Sequence, residues 1–167
     1  MNHTAFRRML FVLSLFLWIA ARAQSLEIAV ELNPVGSFVA RSSQLEGHVS
    51  SDSKGGFKAQ NVKLDLATLN SDIALRDQHM KDDYFEIKKV GFSHATLKSV
   101  QAKDGRFQGL LEIRKKPVPI EGRYRVSGKV LTAEFPTTLS AFGIKEANYM
   151  GVGVVDDVQV KVTLPLR

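Results

Sequence analysis

The sequence predicts an all-β protein, an antiparallel β-barrel of about eight strands with one or two short helices. Two observations lead to this fold class. After residue 23, apolar residues alternate with polar ones along most of the chain, which is typical of strands that bury one face. Short glycine-containing links at 51–56, 103–105 and 127–129 suit antiparallel hairpins. About eight such strands can close into a barrel that is filled by side chains or holds one small ligand.

The individual strands follow from this alternation. The clearest is the last, VQVKVTLPL at 158–166, where valine or leucine occupies every second position. The same pattern predicts strands at 26–32, 62–66, 106–113 and 118–126, and weaker alternation predicts strands at 36–49, 90–100 and 129–138. Because their links are short, consecutive strands are expected to pair as a meander.

One segment follows a helical period instead. In SDIALRDQHMKDDYFEI, residues 71–87, Ile73, Asp77, Met80 and Tyr84 fall at helical spacing. Ser71 or Asp72 can cap the start of the helix. The sequence therefore predicts one or two short helices that cross or plug one end of the barrel.

The first 23 residues have the organisation of a secretory signal peptide. MNHTAFRRM is basic, LFVLSLFLWIAA is an apolar run of twelve residues, and ARA places small residues before a cleavage site at Ala23. The run is shorter than the roughly 20 residues that a membrane-spanning helix needs. We expect residues 1–23 to be removed, and residues 24–167 to form one domain of a periplasmic or secreted protein.

Composition argues against a nucleic-acid-binding protein and against a domain stabilised by disulfides. Removal of Arg7, Arg8 and Arg22, with no acidic residue, lowers the formal charge from +6 to +3, which gives little reason to expect nucleic-acid binding. The chain has no cysteine, so no disulfide stabilises the exported domain and burial has to do so.

The charged cluster that begins at Arg76 does not predict a catalytic or metal centre. His79 lies among Asp77, Asp82 and Asp83, which suits several divalent ions, but no second histidine follows one helical turn later. The chain also lacks a cysteine nucleophile and a G-x-S-x-G elbow. We therefore expect no enzymatic activity, no metal and no cofactor, and we expect Arg76 and Asp77 to tie the helix to the barrel.

The same segment carries a family resemblance. LRDQHMKDDYFEIKKVGFSHATL, residues 75–97, resembles the arginine–aspartate–x–histidine–leucine, paired-aromatic and P-x-x-x-F signature of the YceI-like family of periplasmic polyisoprenoid-binding proteins. The segments VGSFVARSSQLEGHV and VKLDLATLNSDIALRD upstream, and GLLEIRKKPVPIEG, FGI and VVDDVQVKVTLPL downstream, resemble the family's other strands in order. The resemblance covers most of the chain from Leu26 to Leu166.

This resemblance implies an extended lipocalin-like barrel that holds a long isoprenoid, or a related fatty-acid-like lipid, in a hydrophobic tunnel without performing chemistry on it. Bulky apolar residues on inward-facing positions, or at the helix and mouth, are the candidates for its lining. These are Phe38, Leu64, Met80, Phe85, Phe92, Phe107, Leu111, Phe142 and Ile144. Arg76, His79 and Asp77 are the candidate polar groups near the mouth.

Two alternatives come from other classes. An outer-membrane barrel needs girdles of aromatic residues, but the chain has three tyrosines and its one tryptophan lies in the predicted leader. An exported stress-response or interaction module whose lipid binding is incidental is also compatible with a binding fold. A homodimer and a transient contact with a membrane are compatible with both binding interpretations.

Overall fold

Ten strands form one antiparallel sheet in the part of the chain that the structure, a computed structural model, describes: residues 24–145, 148–149 and 151–167. The predicted signal peptide, residues 1–23, lies outside the described residues. The strands are β1 (Ser25–Asn33), β2 (Ser37–Ser42), β3 (Leu45–Ser51), β4 (Phe57–Asp65), β5 (His94–Lys103), β6 (Arg106–Ile113), β7 (Lys116–Ser127), β8 (Val130–Thr138), β9 (Asn148–Tyr149) and β10 (Val152–Pro165). The all-β prediction is confirmed, and the weak alternation at 36–49 corresponds to two strands.

The last long strand is an interior strand of the sheet, between β1 and β8. The strand order is β2-β1-β10-β8-β7-β6-β5-β4-β3, with β9 beside β10. Strands β3 to β8 pair in chain order, as expected for a meander, but β10 pairs with both β1 and β8. Alternate side chains of β10 from Val158 to Leu164 are buried. The side chains of this face pack in the core together with those of the neighbouring strands β1 and β8.

The sheet curls into a half-barrel, and each of its edge strands is joined to another part of the chain. Arg41 of β2 exchanges two backbone hydrogen bonds with Asn70, at 2.8 and 2.9 Å. The carbonyl of Val49 in β3 accepts a hydrogen bond from the Arg167 N–H at 2.8 Å. These bonds cover part of the polar backbone that an open edge would expose. The predicted antiparallel barrel is thus confirmed as a strongly curled sheet.

The interior is packed with apolar side chains that alternate along the strands. Phe107 and Phe135 meet edge to face with ring centroids 5.7 Å apart, an arrangement that aromatic rings favour. Gly122 lies beside them, and a Cβ there would fall 2.2 Å from the backbone oxygen of Glu134. This position therefore requires glycine for β7 and β8 to approach closely.

The two ends of the half-barrel differ in the length of their connections. At one end the three predicted hairpin links are tight turns at 52–56, 104–105 and 128–129. In the first turn, the backbone N–H groups of Gly56 and Lys54 donate to the Asp52 carboxylate at 2.8 Å each. These bonds, chiefly the one from Gly56, hold the pKa of Asp52 below its usual range.

The other end, which we call the mouth, carries the long connections. Helix α1 (Ala74–His79) continues into a π-helical turn (Met80–Tyr84), and 3₁₀ turns lie at Leu66–Thr68 and Ser140–Phe142. The predicted short helices are therefore present at one end of the barrel. Among the described residues, every helix is too short or too polar to cross a membrane.

Helix α1 is anchored to the sheet through a buried hydrogen-bond network around Ser71. The Asp77 carboxylate is buried and accepts hydrogen bonds from the Ser71 N–H at 2.8 Å and the Ser71 hydroxyl at 2.5 Å. Arg76 in turn donates to the Ser71 hydroxyl at 2.8 Å and to the Ser71 carbonyl at 2.7 Å. Because the preceding residue, Asn70, pairs with β2, this network fixes the helix against the edge of the sheet.

We predict that Asp77→Ala lowers the free energy of unfolding by about 1–3 kcal/mol, because it leaves the buried Ser71 N–H and hydroxyl without their acceptor. Urea denaturation followed by circular dichroism measures this difference. Asp83→Ala is the control, since Asp83 lies on the same connection with its side chain 59% exposed, and we expect it to change stability by at most about 0.5 kcal/mol. Equal losses in the two variants would contradict this role of Asp77.

Candidate functional site

An apolar cavity of 390 Å³, which we call the upper cavity, lies at the mouth between α1, the π-helical turn and the sheet. Strands β1, β2 and β10 form one wall, and the helical connection together with the loop after β8 forms the other. Its volume falls within the range of about 300–1,000 Å³ that is typical of small-molecule pockets. Its lining consists of Ile28, Val30, Leu32, Phe38, Ala40, Ile73, Leu75, Arg76, His79, Met80, Tyr84, Phe85, Leu139, Ile144, Val152 and Val154.

Two smaller apolar cavities continue from the upper cavity toward the opposite end of the half-barrel. The middle cavity has a volume of 80 Å³ and shares Phe85 and Ile144 with the upper cavity. The lower cavity has a volume of 40 Å³ and shares Leu97 and Phe135 with the middle one. The interior therefore contains a row of apolar spaces that side chains separate from one another.

Three side chains in the lining of the upper cavity carry polar groups: Arg76, His79 and Tyr84. The guanidinium carbon of Arg76 lies 4.1 Å from the centroid of the Phe38 ring, a distance typical of a cation–π contact. Nδ1 of His79 lies 2.6 Å from a carboxylate oxygen of Asp83, one helical turn later. These groups place hydrogen-bonding capacity at the mouth of an otherwise apolar space.

Tyr84 has a perturbed hydroxyl group. Burial chiefly, with a smaller contribution from the Asp83 carboxylate, raises the pKa of Tyr84 above its usual range. The phenol is neutral at physiological pH, as an ordinary tyrosine also is, and it can donate or accept a hydrogen bond. This property suits a neutral or weakly polar ligand group better than it suits acid–base chemistry near neutral pH.

A second polar cluster surrounds Arg114, in the turn between β6 and β7. Arg114 donates one hydrogen bond to the Glu86 carboxylate and another to the Gly143 carbonyl. Lys89 also donates to Glu86, and this bond is the main reason that the pKa of Glu86 lies below its usual range. The guanidinium carbon of Arg114 lies 5.2 Å from the centroid of the Phe92 ring.

The structure brings six of the predicted site residues together around the upper cavity: Phe38, Arg76, His79, Met80, Phe85 and Ile144. Leu64, Leu111 and Phe142 lie deeper and line the middle cavity, while Phe107 lines the lower one. Phe92 lies outside these three linings and packs beneath the Arg114 guanidinium. Asp77 is buried in the Ser71 network, as the expected tie between helix and barrel requires.

Sequence reasoning missed several lining residues of the upper cavity. Ile28, Val30 and Leu32 occupy alternate positions in a predicted strand, so the period-two pattern marked them as inward-facing but could not tell lining from packed core. Val152 and Val154 belong to β10 but precede the clearest alternation, which begins at residue 158. The candidates were chosen for bulk and for inward-facing or helical position, and these properties do not show where a helix leaves space unfilled.

The described residues contain no group of three or more histidine, aspartate or glutamate side chains that is placed to hold a metal ion. His79 lies beside Asp83, while Asp77 is directed to Ser71 and Asp82 lies 3.0 Å from the Lys88 ammonium group. The acidic residues near His79 thus have separate partners.

Comparison with known proteins identifies the fold. The model of the YceI-like domain matches residues 19–166. BcnA of Burkholderia cenocepacia is similar with a TM-score of 0.59 and 18% identity, over 83% of this chain and 94% of that one. A polyisoprenoid-binding domain from Saccharophagus degradans, implicated in plant cell wall breakdown, is similar with a TM-score of 0.62 and 16% identity, over 86% of this chain and 93% of that one. Comparison with curated proteins found no significant match.

The signature at residues 75–97, the curled antiparallel sheet and the match of the domain model over most of the chain agree with one another. The protein belongs to the YceI-like domain family.

Proposed function

We propose that the protein binds a long-chain isoprenoid or a related amphiphilic lipid in the upper cavity, without changing it chemically. The observation that carries this proposal is the 390 Å³ cavity at the mouth, whose lining is apolar apart from Arg76, His79 and Tyr84. Each methylene group buried there contributes roughly 0.8 kcal/mol, and a prenyl chain offers many of them. The similar Saccharophagus degradans domain, described as polyisoprenoid-binding, supports the same class of ligand.

The polar groups at the mouth suit the polar end of such a lipid. Arg76 and His79 carry hydrogen-bond donors on the first turns of the helical connection, and the neutral Tyr84 hydroxyl lies close to them in sequence. Apolar walls with a few placed polar groups are typical of sites that hold a ligand in one orientation. We propose that the chain lies inward and the polar end lies at the mouth.

We further propose that binding takes place after export, in the periplasm or outside the cell, with the protein carrying, storing or sensing the lipid. The signal-peptide pattern of residues 1–23 supports this location.

The first prediction from this proposal concerns the native ligand. The protein, expressed with its own leader and purified without detergent, should release into organic solvent a single prenyl-chain species at about one molecule per chain, because an apolar cavity of this size favours an apolar occupant. Mass spectrometry of the extract measures identity and amount. An empty extract from correctly folded protein would contradict the proposal and favour the exported interaction module.

The second prediction concerns the place of binding. Val154→Phe should weaken binding of a fluorescent prenyl probe to delipidated protein by roughly tenfold, because the larger ring displaces several methylene groups of the ligand from the upper cavity. Val155→Phe is the matched control, since its neighbouring position on β10 lies outside the cavity lining. An equal loss of affinity in both variants, with unchanged thermal stability, would place the ligand elsewhere.

The rim of the upper cavity carries exposed apolar side chains that suit a transient contact with a lipid bilayer. Ile73, Leu75 and Val152 line this cavity and are 52%, 51% and 41% exposed. Large apolar side chains exposed together often mark sites of interaction. We propose that this rim touches the membrane, so that the lipid passes between bilayer and cavity without crossing water.

The third prediction tests this contact. Leu75→Ser should slow the transfer of a fluorescent prenyl probe from phospholipid vesicles to the protein by roughly three- to tenfold, because the rim then loses apolar area on the bilayer. Stopped-flow fluorescence at increasing vesicle concentration measures the rate. Val126→Ser is the control, since Val126 is 43% exposed near the opposite end of the half-barrel. Equal rates in the wild-type protein and Leu75→Ser would contradict the contact.

A further inference from the structure

A constriction separates the upper cavity from the middle cavity. Ile28, Phe85, Leu139 and Ile144 line both spaces, and we call this set the neck. Phe85 and Ile144 are 6% and 4% exposed, respectively. Beyond the neck, the middle cavity is also lined by apolar side chains such as Leu111 and Phe142. The interior is thus apolar on both sides of a barrier made of a few side chains.

The neck joins segments that are far apart in the sequence. Phe85 directly follows the π-helical turn and donates its backbone N–H to the Met80 carbonyl at 2.9 Å. Ile144 lies in the loop after β8 and donates its N–H to the Leu139 carbonyl at 3.2 Å. Leu139 in turn donates to the backbone carbonyl of Asp156 in β10 at 3.0 Å. One wall is therefore fixed to the sheet, while the other belongs to the helical connection.

Arg114 connects these two walls. One of its N–H groups donates to the carboxylate of Glu86, the residue after Phe85, and another donates to the carbonyl of Gly143, the residue before Ile144. The Arg114 side chain is 15% exposed, and its Nε atom is buried without a hydrogen-bond partner among the described residues. A planar guanidinium has donors in a rigid fork, so it fixes the separation of the two groups it binds.

Resting on the proposed function, we propose that the neck sets the depth to which a lipid chain inserts. The chain fills the upper cavity and stops at Phe85 and Ile144, and any remaining chain stays at the mouth. Arg114 acts as a positioning residue that keeps the two walls of the neck together. The protein then gains affinity from each added prenyl unit until the upper cavity is full, and no further affinity from longer chains.

Titration of delipidated protein with geraniol, farnesol, geranylgeraniol and solanesol, in competition with a fluorescent prenyl probe, tests this inference. For the wild-type protein, affinity should rise along the series and then level off. In Phe85→Leu, affinity should level off at a longer prenol, with a gain for that prenol of at least about tenfold, because each additional buried methylene is worth about fourfold.

Two further variants separate the neck from general changes in packing. Phe142→Leu makes the same side-chain change in a buried residue that lines the middle cavity but not the neck. Its affinity should therefore level off at the same prenol as that of the wild-type protein. Adding Leu111→Phe to Phe85→Leu refills the middle cavity and should restore the wild-type profile. Thermal unfolding in parallel confirms that each compared variant is folded.

Arg114→Lys tests the positioning role, because it keeps the positive charge and loses the rigid fork. It should shift the levelling-off to a longer prenol while leaving the affinity for geraniol unchanged, whereas a purely structural role would weaken binding of every prenol alike. Two results would contradict the statement that the neck sets the insertion depth and leave the proposed function intact. One is that affinity in folded Phe85→Leu levels off at the same prenol as in the wild-type protein, and the other is that wild-type affinity rises through solanesol. A wild-type protein that binds none of the prenols would overturn the proposed function itself.

Discussion

The structure depends on the pairing of β10 with both β1 and β8, because this pairing joins the beginning of the chain to its end. The strands from β3 to β8 form a continuous meander, and β10 brings the first hairpin alongside it. Without β10 between β1 and β8, β1 and β2 would have no sheet to extend, and the wall that carries Ile28, Val30 and Val154 would be lost. The apolar interior is therefore a consequence of long-range pairing and not of local sequence.

The asymmetry between the two ends of the half-barrel explains where the upper cavity lies. Tight turns such as 52–56 connect the strands at one end with few residues, and the apolar space nearest to them is the small lower cavity of 40 Å³. At the mouth, the chain from Leu66 to Phe92 has to cross the opening, and the buried Ser71–Asp77 network holds the start of that crossing against β2. The cavity is the space that this short helical connection leaves between itself and the sheet, which explains why helix residues such as Met80 share its lining with strand residues.

Period-two alternation predicted most strands and the fold class because strand faces impose a local, repeating constraint on side-chain polarity. Position in the sheet and space inside it are not local properties. Val158 and Val154 lie on the same strand, yet the first is buried in the core and the second lines the upper cavity. Phe92 has the size of a lining residue but packs under Arg114, and no feature of its own neighbourhood in sequence foretells that partner. The short helical connection that carries Arg76 and His79 was predicted at one end of the barrel, because the sequence marks this connection by its change of period.

The Arg114 cluster is better understood as a geometric device than as a source of stability. Desolvation offsets much of the attraction within a partly buried ion pair, so such a pair contributes little net stability compared with apolar residues of similar size. Arg114 also leaves its Nε atom without a hydrogen-bond partner among the described residues, which adds to the cost. What the cluster does provide is a fixed separation between the segments that carry Phe85 and Ile144, since the guanidinium binds the residue next to each. In an interior lined by interchangeable apolar side chains, a rigid polar link of this kind is the element that can define where one cavity ends and the next begins.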